Sequence, residues 1–180
     1  MKKILLLICV LSFNGIVAQK YFTKTGLTEF KASVEAFEAV EAKNNSTSVV
    51  LKTDTGDIAA LLFLKAFRFK VALMEEHFNE NYMDSDKHPK ATFRGKIKDF
   101  NFDAISENTE YTISGTLTVR GVKKEVSTVA TFSKHGEKLH LKAVFNVKPQ
   151  DFDIHIPSVV RKKIAKSINI TLDYELIKKK

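Results

Sequence analysis

The sequence predicts an all-β fold, an antiparallel barrel of about eight strands with short helices that include a helical insert near residues 71–82. Three observations lead to this prediction. Apolar and polar residues alternate with period two along most of the chain, turn signals separate the alternating runs, and no repeat or linker divides it. A chain of 180 residues with this pattern suits one domain, and about eight strands can close a barrel that is filled or holds one ligand.

The N-terminus predicts a secretory signal peptide. Lys2 and Lys3 precede the apolar run 4–11, and the small residue Ala18 ends the segment. This apolar run is too short to span a bilayer as a helix. We expect cleavage after Ala18, which divides the chain into a signal peptide, residues 1–18, and a barrel domain, residues 19–180. The mature protein would then be periplasmic or secreted, with no transmembrane segment.

Composition narrows the classes of function. Cys9 is the only cysteine and lies in the predicted signal peptide, so the mature chain has no disulfide and depends on its core. Removal of Lys2 and Lys3 lowers the formal net charge from +8 to +6. The remaining charges are mixed in sign. The chain lacks a row of basic residues interleaved with aromatic residues, which is the pattern that binds single-stranded nucleic acid, so we expect no nucleic-acid partner.

The predicted strands follow in order along the chain. Their inward apolar residues are Phe30, Ala32 and Val34; Ala91, Phe93, Gly95 and Ile97; Tyr111, Ile113, Leu117 and Val119; Leu139, Leu141, Ala143 and Phe145; and Ile168, Ile170, Leu172, Tyr174 and Leu176. Two further strands, 46–53 and 58–64, flank the turn signal 54–57. The second is apolar on both faces, so we expect it to be covered outside or to line something. His135-Gly136 predicts another turn, and Arg120-Gly121 predicts a hairpin or a bulge.

Two segments break the strand pattern. Residues 35–43 are compatible with a short helix that buries Ala36, Val40 and Phe37. Residues 71–82 fit a helix better, with an apolar stripe formed by Leu73, Met74, His77, Phe78 and Tyr82. The turn 84–89 ends this helix.

The run LMEEHFNENYM at 73–83, followed by DSDKHPKATF at 84–93, resembles the central signature of the YceI-like family. That signature is a helix with an H-F-N-x-x-Y-type run, an acidic turn, and P-x-x-T-F at the start of a strand. Two weaker likenesses flank it, GTLTVRGV at 115–122 and DFDIHIP at 151–157. The likeness extends from about Phe30 to Leu176. It departs at Arg120, where the family commonly has His; Arg120 either favours a phosphate or is an exposed strand charge.

The resemblance implies a lipocalin-like barrel whose apolar tunnel binds a polyisoprenoid, a quinone or another long-chain lipid. Fourteen phenylalanines and no tryptophan suit such a lining. The predicted ligand-binding residues are Phe30, Leu62, Phe67, Leu73, Met74, Phe78, Phe93, Leu117, Phe145, Phe152 and Ile170. We expect no cofactor, and because some relatives of this fold pair as dimers, a homodimer is open.

Two other classes of function remain open. In the first, side chains fill the barrel, and a cell-envelope interaction or stress protein docks its partner on a surface such as the acidic segment 75–86. In the second, His77, His88 or His155 serves a metal-dependent or isomerase-like enzyme. No HExxH motif, paired cysteines, nucleophile elbow or phosphate loop is present, so we expect neither a metal site nor catalysis. Asn79 and Asn81 are expected to cap or anchor the loop.

Overall fold

The computed structural model describes residues 19–34 and 39–179. The strands of these residues are β1 (Lys20–Ser33), β2 (Glu41–Lys52), β3 (Asp57–Phe63), β4 (Arg68–Phe69), β5 (Lys90–Ile97), β6 (Thr109–Val119), β7 (Val122–His135), β8 (Lys138–Val147) and β9 (Ile164–Lys178). Helix α1 (Ala72–His77) continues into a π-helical turn, Phe78–Tyr82. One-turn 3-10 helices span Leu64–Ala66 and Pro149–Phe152.

Eight of these strands form a closed antiparallel barrel. The order around the wall is β1-β9-β8-β7-β6-β5-β3-β2, and pairing of β1 with β2 closes the ring. The two-residue strand β4 adds only to the start of β2. The predicted antiparallel barrel of about eight strands is therefore confirmed, and the pairing of β1 with β2 removes the two outer edges that an open sheet would have.

The two ends of the barrel differ. At the closed end, the loop 98–108 and the turns after β2 and β7 cover a packed core in which Phe132, Leu139 and Leu176 have no exposed surface. At the open end lie the helical insert 64–89, the β6–β7 turn and the loop 148–163. Burial of each large side chain at the closed end contributes about 1.5–3 kcal/mol, so this half supplies much of the stability.

The helix predicted over residues 35–43 is wrong where the structure describes it. Residues 41–43 belong to β2, and residues 35–38 lie outside the described residues. Ala42 is 2% exposed and lies inside the barrel opposite Phe30. Glu41 and Lys43 pair with charges on neighbouring segments. Strand alternation thus prevails over the local helical pattern, since pairing with β1 buries Ala42.

The helical insert predicted over residues 71–82 is confirmed, but its apolar stripe is only partly correct. Phe78 is buried, whereas Leu73 is 56% exposed and His77 is exposed. Leu73 and His77 lie four residues apart on one side of α1, and this side is exposed, whereas the π-helical turn that follows buries Phe78. Within residues 71–82, Phe78 therefore packs against the barrel, and Met74 lines its interior.

The predicted turns hold in the structure. Gly136 lies in the β7–β8 turn, and Arg120-Gly121 forms a two-residue hairpin with φ values of 53° and 80°. Positive φ at both positions matches the primed turns that fit the twist of paired strands. Strand β3 lines the interior with Ile58, Ala60 and Leu62, while Phe63 is 49% exposed outside with Lys90 over its ring. An outer cover over Phe63 is therefore not observed.

Candidate binding cavity

A cavity of about 500 Å³ occupies the barrel between the packed core and the open end. This volume lies within the range of small-molecule pockets, about 300–1,000 Å³. The wall is overwhelmingly apolar, and among the described residues Lys163 is its only permanently charged member. The described part of the barrel is thus filled in one half and hollow in the other, so side chains do not fill it completely, while the interaction or stress role stays a prediction.

The structure places ten of the eleven predicted ligand-binding residues on this wall. They are Phe30, Leu62, Phe67, Met74, Phe78, Phe93, Leu117, Phe145, Phe152 and Ile170. Leu73 lies apart from them, exposed on the outer side of α1. The cavity brings these residues together because successive inward positions of neighbouring strands stack around a barrel interior. Their contact with a ligand stays a prediction.

A cluster of four phenylalanines joins the insert to the barrel wall near the open end. The ring centroid of Phe30 lies 5.2 Å from that of Phe67, 5.6 Å from that of Phe69 and 5.4 Å from that of Phe78. These separations are typical of favourable aromatic pairs. Phe78 of the H-F-N run therefore holds the π-helical turn against β1. The four rings form an apolar rim at the mouth, which is the opening of the cavity at the open end of the barrel.

Three hydroxyl groups form a polar cluster on the otherwise apolar wall. The Thr28 hydroxyl lies 2.8 Å from that of Thr47 and 2.9 Å from that of Tyr174, and all three residues are buried. Burial raises the pKa of Tyr174 to about 12, although the nearby hydroxyls of Thr28 and Thr47 act in the opposite direction. Gly26 makes room for this cluster, because a Cβ there would lie 2.6 Å from Cδ1 of the Tyr174 ring. The phenol stays neutral and hydrogen-bonded at physiological pH.

Sequence reasoning missed this hydroxyl cluster and, apart from Phe152, the cavity-lining residues of the loop 148–163. Thr28 occupies an inward position of β1, two residues before Phe30, and an inward polar residue signals a buried partner. The partners Thr47 and Tyr174 come from β2 and β9, so no local pattern could identify them. Ile156, Val160 and Lys163 line the open end from the same loop, which forms no strand between β8 and β9.

The three histidines considered for metal chemistry lie in different surroundings. His77 lines the mouth and is exposed, His88 lies beside Gly121, and His155 is exposed in the loop 148–163. Across residues 19–34 and 39–179, no group of three or more His, Cys, Asp or Glu side chains is arranged to hold a metal ion. His77 does not have the partly buried position that its place on the predicted stripe suggested.

Arg120 connects two segments of the open end. Its Nη1 donates a hydrogen bond of 2.5 Å to the carbonyl oxygen of Asp153, which follows the 3-10 helix Pro149–Phe152. Its Nε is buried and lacks a hydrogen-bond partner among the described residues. Arg120 is half-buried in a turn, so it is not the exposed strand charge considered from the sequence.

Asn79 anchors the insert, as expected. Its side-chain amide donates to the Glu75 carbonyl at 2.8 Å and accepts from the Ser85 hydroxyl at 3.0 Å, while Ser85 N donates to the Asn79 carbonyl at 2.9 Å. Ser85 is 2% exposed. The helical turn and the acidic turn are therefore joined through one side chain, whereas Asn81 is exposed.

In the described part of the chain, every helix is too short or too polar to cross a membrane.

Comparison with known proteins identifies one family. The sequence profile described as YceI-like domain matches residues 15–176. No curated protein sequence is significantly similar to this chain.

Several solved structures share the fold. BcnA from Burkholderia cenocepacia matches with a TM-score of 0.70 and 17% identity, covering 83% of this chain and 95% of BcnA. A structure from Saccharophagus degradans, described as a polyisoprenoid binding domain implicated in plant cell wall breakdown, has a TM-score of 0.73 and 11% identity, covering 88% and 97%. The YceI protein of Campylobacter jejuni has a TM-score of 0.64 and 16% identity, covering 80% and 87%. At these identities the likeness shows a common fold.

Proposed function

Because this chain belongs to the YceI-like family, and its barrel encloses an apolar cavity, we propose that it binds a long apolar lipid and sequesters or carries it. The cavity is the observation that carries the proposal. A polyisoprenoid or quinone-type chain fits an apolar wall, and the related domain from Saccharophagus degradans is described as polyisoprenoid binding. The role is binding, with no chemical step assigned to the wall.

The lining sets the character of this binding. Each enclosed CH₂ group contributes about 0.8 kcal/mol when it leaves water, so affinity grows with the length of chain that the cavity accepts. Few polar groups face the cavity, and a single methylene is discriminated only weakly by an apolar pocket. The protein therefore selects a class of apolar chains rather than one molecule.

Export is part of the proposal. A protein that carries water-insoluble chains is useful in an aqueous compartment between membranes or outside the cell. The signal-like segment 1–18 supports a periplasmic or secreted location.

Native mass spectrometry of the purified protein, followed by solvent extraction, tests the proposed function directly. We expect a co-purifying apolar molecule, or a mass increase after incubation with a prenol or a quinone. An apo mass that is unchanged by both additions would overturn the proposal.

A pair of neighbouring variants on β5 assigns the binding to the cavity. Phe93 lines the cavity, whereas the next residue, Arg94, is exposed on the outer face. We expect Phe93→Glu to lose bound lipid, because an ionised carboxylate is poorly tolerated on an apolar wall, and Arg94→Glu to retain it. Thermal melting must show that both variants fold; Leu117→Gln replaces Phe93→Glu if the latter unfolds. Equal lipid retention in folded Phe93→Glu and Arg94→Glu would contradict a cavity site.

Self-association is a separate question. The outer wall carries an apolar row across β9, β1 and β2 formed by Ile177, Phe22 and Val50, of which Val50 is 43% and Ile177 47% exposed. A homodimer that uses this row would be weakened by Val50→Lys and left unchanged by Val144→Lys on the outer face of β8. Sedimentation velocity measures the result, and a monomer in the unaltered protein removes the homodimer from the proposal.

A further inference from the structure

The barrel wall is split between β7 and β8. Within the described chain, their pairing runs from His135↔Lys138 to Ala130↔Ala143 and ends there. Both strands continue, however, and β7 stays paired with β6 to Val122 while β8 stays paired with β9 to Val147. The split is therefore a gap between two strands that are each held on their other side, rather than fraying of a loose end.

One side chain bridges the start of this gap. The Thr128 hydroxyl donates to the Val144 carbonyl at 3.0 Å, where a strand ladder would place a backbone donor. Val129 and Val144, the next pair in the register, are 52% and 56% exposed on the outer face. The edges beyond them, 122–128 and 145–147, face each other without ladder pairing among the described residues.

A second cavity of about 550 Å³ lies at this gap. Six residues line both it and the central cavity, namely Val126, Ser127, Thr128, Phe145, Val147 and Phe152. These six side chains separate the central cavity from this second cavity, which we call the outer pocket. The outer pocket is more polar, because Lys124, Glu125, Asn146 and Asp151 also line it.

Phe152 occupies the position of a gate. It is 2% exposed and belongs to the one-turn 3-10 helix Pro149–Phe152, which packs at the gap. The next residue, Asp153, has a φ of 54°, and its carbonyl accepts the Arg120 hydrogen bond. Arg120 itself has a φ of 53°. The hydrogen bond from Arg120 to Asp153 thus ties the 3-10 helix that carries Phe152 to the β6–β7 turn, and this contact holds the gate closed.

We propose that the gap between β7 and β8 is a second, lateral entrance to the cavity, with Phe152 as its gate, Arg120 as its latch and the outer pocket as the seat for the ligand's polar end. This inference rests on the proposed lipid binding. A long chain inserts sideways through the gap instead of threading end-first through the mouth. The outer pocket combines one basic and two acidic side chains with Asn146, so it suits an uncharged polar group better than a phosphate.

Closing the gap with a disulfide tests the lateral entrance. Val129→Cys/Val144→Cys joins the strands at the start of the gap, and Thr131→Cys/Lys142→Cys joins the same strands where they are already paired. Both are made with Cys9→Ser, since Cys9 is the only natural cysteine. Uptake and release of N-dodecyl dansylamide are followed by stopped-flow fluorescence. Oxidised Val129→Cys/Val144→Cys is expected to slow both rates about tenfold or more, with reduction restoring them and the paired-region control unchanged.

A gate variant gives a readout that does not depend on disulfide formation. Phe152→Ala is expected to accelerate probe uptake and release, whereas Phe100→Ala, which removes an aromatic side chain at the closed end, leaves the rates unchanged. Equal rates in Phe152→Ala and Phe100→Ala, together with no slowing by any disulfide that forms, would overturn the lateral entrance while leaving the proposed function intact. Failure of the unaltered protein to bind the probe, a prenol or a quinone would overturn both.

Discussion

At the scale of single residues, apolar side chains that look alike in the sequence have different roles in the structure. Inward apolar residues near the closed end fill space, while those nearer the open end border a cavity. Tyr174 stands between these roles. It belongs to the packed core and also lines the cavity, and its hydroxyl bonds to Thr28. Its loss therefore changes both stability and the response to pH.

Tyr174→Phe is expected to lower the free energy of unfolding at neutral pH by about 1 kcal/mol, because one buried hydrogen bond is lost while Thr28 keeps Thr47 as a partner. The pKa of Tyr174 is raised from 10.0 to about 12 by burial, so the native state favours the neutral phenol. The stability that the neutral Tyr174 phenol contributes is therefore fully present below pH 10 and is lost as the pH rises through about 12. Urea unfolding of both proteins at several pH values measures this.

The stability advantage of the unaltered protein over Tyr174→Phe should shrink as pH rises from 10 towards 12. A constant difference between the two proteins across that interval would contradict a neutral, buried Tyr174.

At the scale of elements, the alternation of apolar and polar residues predicted the strands that pairing holds in register. The prediction failed where the local sequence lacks this alternation. The strand around Phe93 and the final strand around Ile170 were predictable, since a shift by one residue would turn every apolar side chain outward. The strand at 41–43 was not predictable. Its burial depends on pairing with β1, and this contact cannot be seen in the local sequence, which favours a helix. The hydroxyl cluster and the β7–β8 gap depend on which strands meet, and that information is absent from any single run.

The insert shows how one side chain can organise an element. Asn79 links α1 to the acidic turn, so Asn79→Ala is expected to loosen residues 71–89 by removing two hydrogen bonds, at about 1–2 kcal/mol of local stability. Hydrogen exchange should become faster across this segment and stay unchanged in β7 and β8. Asn81→Ala, at an exposed position two residues away, is the matched control. Equal exchange in the two variants would show that Asn79 does not anchor the insert.

At the scale of the whole molecule, the barrel has its packed core at one end and its apolar cavity at the other. The closed half is packed and the open half is hollow, so a hollow lining of Phe, Leu and Ile can persist without collapse. From sequence, lining and core demand the same residues, which is why the hollow half could be expected only from the family resemblance. Filling the hollow half should therefore affect binding more than folding.

Ala91→Phe tests this division. Ala91 lines the cavity opposite Leu62, so a phenylalanine there occupies space that a ligand would use. We expect weaker binding of N-dodecyl dansylamide with a melting temperature close to that of the unaltered protein, because the added ring meets a void rather than a packed core. Ala59→Phe, on the exposed outer face of β3, is the control. Unchanged affinity in folded Ala91→Phe would argue against ligand occupancy beside β3 and β5.

The start of the mature chain is the remaining question at this scale. Strand β1 begins at Lys20, and the Gln19 carbonyl accepts hydrogen bonds from the backbone N and the hydroxyl of Thr53, both at 3.0 Å. Cleavage after Ala18 would keep all of these contacts, whereas cleavage a few residues later would remove part of the β1–β2 pairing that closes the barrel. We therefore expect the protein recovered from the periplasm or the medium to begin at Gln19, as measured by its intact mass. Ala18→Arg should abolish processing at that bond, because the cleavage site requires a small residue, and Lys20→Gln should leave it intact. A mature protein that begins beyond Tyr21, or one that keeps Met1 to Ala18 while binding lipid outside the cytoplasm, would contradict this boundary.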